Sequence, residues 1–261
     1  MKIYKAYAKV NIFLKVTGKR GAYHEIVSRF MLVKDLYDEL KFVKKENPSD
    51  KFIIDGDFSC TIEQNTIHKA YIALKEYTNS KSLEKLMQEY LIDVKKSIPA
   101  FAGLGGGSSD AATYLMMCNE ILELSLSLDE LAKIGLKVGA DVPFFIYGYE
   151  SANVAGIGEI VEKFDEKALR FDIYTPDVKI STPKVYKRYR ESFYNPITKE
   201  EEERLKCIRS KDVFRSMDPK EANDLFKPAL YEYKELESYF QDGYYFSGSG
   251  SSFFKMIEKE N

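Results

Sequence analysis

Residues 99–112 read PAFAGLGGGSSDAA, with four glycines among five positions (Gly103, Gly105, Gly106 and Gly107). Glycines at that density let the backbone turn tightly and aim several N–H groups inward. Ahead of them residues 91–98 alternate like a strand, and behind them Ala111, Leu115, Cys118 and Leu122 recur at helical spacing. The chain is thereby committed to a strand, a tight loop and a helix in succession. Such a loop delivers what it cradles onto a helix N-terminus, where an anion is favoured. A phosphate is the natural guest. A flexible Gly/Ser linker would not lie between two regular elements.

Neither common phosphate loop fits. A P-loop needs a Lys-Ser/Thr pair after its last glycine, whereas Ser108-Ser109 follows Gly107. A dinucleotide fingerprint needs Gly or Ala three residues beyond its second glycine, where this chain has Ser108 or Asp110. Net charge across the 261 residues is −2 with both signs well mixed, which excludes a global field for nucleic acid or an anionic membrane. The three cysteines, Cys60, Cys118 and Cys207, form no metal pattern and fit a reducing compartment, with Cys118 expected in the core. Two histidines leave little room for a histidine-based metal site. With no leader-like run at the start and no apolar stretch of about 18 residues, a cytoplasmic location is expected.

Residues 3–17 alternate between an apolar face (Ala6, Ala8, Val10, Ile12, Leu14) and a face bearing Lys9 and Asn11, and so read as a strand. A second extended stretch is expected over 26–34, and 40–43 with 52–54 reads as a hairpin around Asn47-Pro48-Ser49. Asn65 caps an expected helix carrying Ile67, Ala70 and Leu74. Further helices are expected over 109–124 and 128–138, the latter stopped by Gly139. The second half combines an extended segment near 171–175, Lys/Glu-rich helical stretches to residue 240, and a strand, Gly/Ser turn and strand over 244–256. This irregular order argues for an α+β protein rather than a doubly wound sheet, divided as 1–150 and 151–261.

Lys9 and Asn11 leave the strand on the same side and could hold a hydroxyl, although a solvated polar face is the commoner outcome of such spacing. Asp141, in GADVPFF, lies beside a turn and an apolar cluster; it serves equally as a helix cap or as a proton acceptor. Tyr23-His24 after the first strand could stack on a flat ring, and so could Tyr186 in STPKVY, while an incidental turn explains the first pair as well. The Gly/Ser turn at Gly248, Ser249 and Gly250 is by itself a weak signal.

The wording GLGGGSSDAA resembles the second motif of the GHMP kinases, and within them that of the diphosphocytidyl-methylerythritol kinases. The segments AKVNIFL (8–14), GAYHE (21–25), GADVPFF (139–145), STPKVY (181–186) and SGSGSS (247–252) are similar to that family's other motifs in the same order, with Ala22 standing where a glycine is usual. The resemblance implies a two-subdomain GHMP kinase fold, ribosomal-protein-S5-domain-2-like at the N-terminus and a ferredoxin-like α/β sandwich at the C-terminus, with the active site in the cleft between them. It implies ATP and Mg²⁺, a cytidyl sugar-alcohol substrate, no nucleic-acid or membrane partner, and a monomer or weak homodimer. By resemblance Lys9 and Asp141 are catalytic, and Asn11, Tyr23, His24 and Tyr186 contact substrate. Asn65, Lys95, Lys96, Pro99, Gly103, Leu104, Gly105, Gly106, Gly107, Ser108 and Ser109 surround ATP by the same token, and Gly248, Ser249 and Gly250 complete the wall. The metal's ligands stay undetermined. A kinase for another small alcohol, of homoserine or mevalonate type, and a non-catalytic nucleotide- or RNA-binding relative remain alternatives.

Overall fold

The computed structural model describes residues 2–21 and 23–257; Ala22, the departure within GAYHE, lies outside the described residues. Two long paired strands open the fold, β1 (Tyr4–Arg20) and β2 (Tyr23–Lys44). From Ala8 to Leu14 β1 is buried on both faces, so the side bearing Lys9 and Asn11 is interior and not the solvated face that alternation alone suggests. The stretches expected at 26–34 and 40–43 are two halves of one strand, β2.

The hairpin expected between 40–43 and 52–54 does not form. β3 (Ile54–Asp55) runs parallel to β4 (Tyr90–Lys95), and β4 pairs antiparallel with the C-terminal half of β2, Phe42 opposite Ile92. The apolar residues Ile92 and Val94 bury β4 as a central strand, leaving the two-residue β3 at the edge. Along its N-terminal half β2 pairs with β5 (Ser151–Gly156), which in turn pairs with β6 (Ile160–Lys163). A second, three-stranded antiparallel sheet has β9 (Phe253–Met256) between β7 (Phe171–Tyr174) and β8 (Tyr245–Phe246).

The helix α1 (Thr66–Thr78) begins where Asn65 accepts the Ile67 N–H at 2.9 Å, as its sequence requires. α2 (Lys81–Glu89) adds to the expected elements. α3 (Gly106–Ile121) starts three residues earlier than expected and is buried on nearly every side from Ser109 to Cys118, with α1, α4 (Leu128–Leu136) and α5 (Val142–Tyr147) packed on it. Burial pushes the Cys118 thiol up to about 12, consistent with a core residue. The later helices are α6 (Thr182–Arg188), continued by a π-helical turn at Tyr189–Phe193, then α7 (Lys199–Cys207), α8 (Ser210–Ser216) and α9 (Phe226–Glu232).

Contacts group the chain into two interleaved units. One holds residues up to Ala8, Asp35–Ala100 and Gly106–Gly148; the other holds Lys9–Lys34, Phe101–Gly105 and the chain from Tyr149 on. A single cut near residue 150 describes only one edge of that division, because β1 and β2 each contribute to both units. The core of the second unit gathers Leu14, Val16, Val185, Phe226, Phe246 and Phe253. Among the described residues no helix is long and apolar enough to cross a membrane.

Candidate active site

In the second unit, burial turns Lys9 from a surface cation into a fixed one. It is 3% exposed, its ammonium donates to Asn11 Oδ1 at 2.6 Å and to the Gly103 carbonyl at 3.1 Å, and it stands 4.5 Å from the Phe30 ring centroid. Asn11 donates in turn to Ser28 Oγ at 3.0 Å, so Ser28, which no motif singled out, orients the amide. The Lys9 backbone N–H donates to Leu104 O at 2.9 Å. The opening strand and the tip of the glycine loop are therefore joined through both backbone and side chain.

The third motif closes on the same tip. Ser251 and Ser252 N–H donate to Phe101 O and Ala102 O at 3.3 and 3.1 Å, and Ser247 Oγ donates to Gly103 O at 3.0 Å. Gly103 and Gly250 approach so closely that a methyl on Gly103 would lie 2.8 Å from Gly250 N. Only glycine fits there. Thr182 and Ser249 share a hydroxyl–hydroxyl bond at 2.5 Å, which ties the STPKVY segment to this turn.

Tyr23 and His24 do not lie in a loop. They open β2, and adjacent strand residues project to opposite faces, so Tyr23 is 65% exposed while His24 is 8% exposed. His24 instead joins Tyr186, stacked at 5.3 Å, and the edge of Tyr189 at 5.6 Å. Its Nε2 is buried with no hydrogen-bond partner among the described residues. Burial, then the charges of Arg190 and Lys19, hold the imidazole below its usual pKa, so it is neutral at pH 7. A neutral ring with an unsatisfied nitrogen, next to a half-buried tyrosine, suits a flat polar ligand.

In the first unit the N-terminus of α3 carries Gly106, Gly107 and Ser108. Thr66 Oγ1 donates to Gly107 O at 2.6 Å, bringing the Asn65 end of α1 beside the loop. The turn Gly139–Val142 lies against the start of α3, with Ser108 Oγ 3.6 Å from where a Gly139 Cβ would stand. Asp141 occupies the N-cap position of α5, half-buried, with no side-chain cap hydrogen bond. Ser109 is buried, leaving Ser108 as the more accessible hydroxyl of the pair.

Lys96 and Lys95 part company. Lys95 is exposed beside Glu39, whereas the Lys96 ammonium is held by Asp38 and, at 2.6 Å, by Asp110. Asp38 also accepts the Ile98 N–H at 2.8 Å. The lysine thus ties the entry of the glycine loop to the first turns of α3, with its ammonium engaged by both carboxylates. Burial pushes Asp110 up to about 7, opposed by Lys96 and assisted by Asp38.

Asn223 escaped sequence reasoning altogether. Its amide donates to Phe246 O at 2.9 Å and Gly248 O at 2.8 Å, and its Oδ1 accepts the Leu225 N–H at 2.9 Å. An Asn-Asp pair ahead of a short helix is its only local signal.

Residues 65–149 match the family described as the GHMP kinases N terminal domain. The 4-diphosphocytidyl-2-C-methyl-D-erythritol kinase of Sulfurimonas denitrificans is 64% identical, covering 100% of this chain and 99% of its own length. Its counterpart in Sulfurovum sp. is 43% identical over 96% of this chain and 97% of the relative. Among solved structures, a 4-(cytidine 5'-diphospho)-2C-methyl-D-erythritol kinase is similar with a TM-score of 0.74 and 28% identity, covering 98% of this chain and 90% of that one. A Methanococcus jannaschii mevalonate kinase matches in fold alone, with a TM-score of 0.61, 14% identity and coverage of 98% and 90%.

Proposed function

The chain belongs to the 4-diphosphocytidyl-2-C-methyl-D-erythritol kinases of the GHMP superfamily, and on that footing we propose that it transfers the γ-phosphoryl group of ATP to the 2-hydroxyl of 4-diphosphocytidyl-2-C-methyl-D-erythritol, in the non-mevalonate route to isoprenoids. Nucleotide binding is assigned within residues 1–150, and substrate binding to 151–261 together with the Lys9–Lys34 segment that belongs to the same unit, in a cytoplasmic enzyme acting as a monomer or weak homodimer. The observation that carries the reading is the buried Lys9 ammonium, bonded at once to Asn11 and to the Gly103 carbonyl of the glycine loop.

Phosphoryl transfer through a loose transition state needs positioning and charge neutralisation more than covalent help. The backbone N–H groups of residues 103–109 and the α3 N-terminus hold the phosphates. Asn65, Pro99, Leu104 and the backbone of Lys95 and Lys96 line the adenosine. Lys9 and Asn11 hold the acceptor hydroxyl; Lys9 stabilises charge on its oxygen while Asp141 takes its proton. His24 and Tyr186 receive the cytosine ring, Tyr23 on the opposite face of β2 contacts the substrate elsewhere, and Gly248, Ser249 and Gly250 wall the reacting groups. Among the described residues no group of three or more His, Cys, Asp or Glu could hold a metal ion. The Ser108 hydroxyl, together with the nucleotide phosphates, would hold Mg²⁺. When bound, the ion neutralises phosphate charge.

Coupled ATP turnover with the cytidyl substrate tests this. Asp141→Ala should keep nucleotide binding and lose turnover about 10²–10⁴-fold. Absence of turnover with that substrate in the wild type, or full activity in Asp141→Ala, would remove the assignment.

A further inference from the structure

Asn223 lies in a stretch that carries no recognised motif, yet it stands where three functional segments meet. Its flanking residues pair with β1: Leu14 N–H donates to Ala222 O at 2.8 Å and Asp224 N–H to Leu14 O at 2.9 Å. The Asp224 carboxylate fastens this seam further by accepting the Val16 N–H at 2.8 Å and pairing with Lys15. From that anchored position the Asn223 side chain, 2% exposed, donates both amide hydrogens to the carbonyls of Phe246 and Gly248, on either side of Ser247. Ser247 donates to Gly103 O, the same oxygen that accepts from Lys9. A methyl on Gly248 would lie 3.1 Å from Gly103 O and 3.2 Å from Asn11 Oδ1, so the turn abuts both of those partners of Lys9.

We propose that Asn223 is a positioning residue for phosphoryl transfer: it holds the Ser247–Gly250 turn at a fixed distance from β1, and thereby sets where Lys9 and Asn11 meet the glycine loop. The circuit is closed. β1 bonds to the loop tip through Lys9, the tip to the turn through Ser247, the turn to Asn223, and Asn223's own backbone to β1. Removing the amide opens the circuit at the side-chain link between the β1 seam and the turn. The carbonyls of Phe246 and Gly248 then lose a buried donor, and the turn relaxes towards them. Asn223 bonds Phe246, Gly248 and Leu225 directly and reaches the STPKVY segment through the Thr182–Ser249 bond of the turn, so alignment of the reacting groups is lost to a greater degree than substrate binding. This rests on Lys9 and the glycine loop being the reacting centre.

The test is steady-state kinetics with ATP and 4-diphosphocytidyl-2-C-methyl-D-erythritol for the wild type, Asn223→Ala, Asn223→Asp and Lys9→Met, with thermal melts to establish folding. Asn223→Ala should lower kcat about 30- to 100-fold, as expected for a misplacement near 1 Å, with both KM values within about 3-fold of wild type. Asn223→Asp keeps the shape and the cap on Leu225 but turns its charge on two carbonyls. Its kcat relative to wild type should rise at least 5-fold between pH 8 and pH 5.5, as the carboxyl gains a proton and its single O–H restores one of the two lost hydrogen bonds. If Asn223→Ala fails to fold, Asn223→Asp decides the question. Wild-type kcat in a folded Asn223 variant beside an inactive Lys9→Met overturns the proposal alone. Wild-type kinetics in Lys9→Met overturn the site reading and the proposal with it.

Discussion

Replacing Gly103 with Ala forces apart the junction of β1, the loop tip and the third-motif turn. Gly103 has φ +73°, where an L side chain costs about 1–2 kcal/mol. Its methyl would also lie 2.8 Å from Gly250 N and 3.0 Å from Gly250 Cα, and nearer still to Ser247 O. Restoring ordinary van der Waals separation needs a backbone shift of roughly 1 Å, and overpacking of this kind costs about 1–3 kcal/mol. Together these lower Tm by roughly 5–15 °C in a chain of this size. The same shift pulls Gly103 O away from Lys9 Nζ, now 3.1 Å distant, and a 1 Å misplacement costs about 10²-fold in rate. Gly250→Ala separates the two causes, because its φ is ordinary while its methyl would overlap Gly103 N and Ala102 C. Gly148→Ala is the control: φ is +65° and nothing lies within 4 Å of the added methyl, so it should lose about 1 kcal/mol and keep kcat. Kinetics and thermal melts read all three. Unchanged kcat and Tm in both Gly103→Ala and Gly250→Ala would refute the close-approach argument.

Lys9→Met should lower kcat about 10²–10³-fold, the loss typical of one preorganised donor at a developing charge, and melts will show that the protein stays folded. His24→Gln should raise KM for the cytidyl substrate about 10-fold, the worth of one hydrogen bond to a buried polar ligand, while KM for ATP holds. His24 also carries a pH signature. Its folded pKa is lowered, so its contribution to stability is present above the usual 6.5 and lost as pH falls through the folded value. Wild-type Tm should therefore fall on acidification below pH 6.5 by more than that of His24→Gln, a difference that melts across pH 5–8 measure. Lys96→Met should destabilise strongly, by about 3–5 kcal/mol, because it leaves Asp38 and Asp110 buried without their shared cation.

Elements whose cause is local were legible from the residues. The Asn65 cap, the strand ahead of the glycine loop (β4, which ends at Lys95 and not at 98), the helix after that loop and the Gly/Ser turn near residue 250 each depend on a few neighbouring side chains, and the structure contains each of them. So too the motif order: AKVNIFL, GLGGGSSDAA, GADVPFF and SGSGSS, read together, identify the family that the relatives establish. Pairing was not legible. That 40–43 pairs with β4 and not with 52–54 depends on which strand buries its apolar face in the centre, a competition between segments about 50 residues apart.

The glycine loop needed its glycines for two different reasons, only one of them visible in the residues themselves. Tight turning is a property of the backbone and follows from composition. The near contact of Gly103 with Gly250 is a property of two remote segments and exists only in the folded chain. Lys9 shows the same divide. Its spacing from Asn11 fixes which way both point, but exposure, and with it the choice between a solvated lysine and a held ammonium, depends on what covers the strand. Asn223 lies wholly on the tertiary side, since a single amide reaching two carbonyls more than 20 residues away leaves no periodicity, cap or motif to read. Chemistry carried by neighbours is written in the order of residues; chemistry carried by distances of closest approach awaits the packing that brings the segments together.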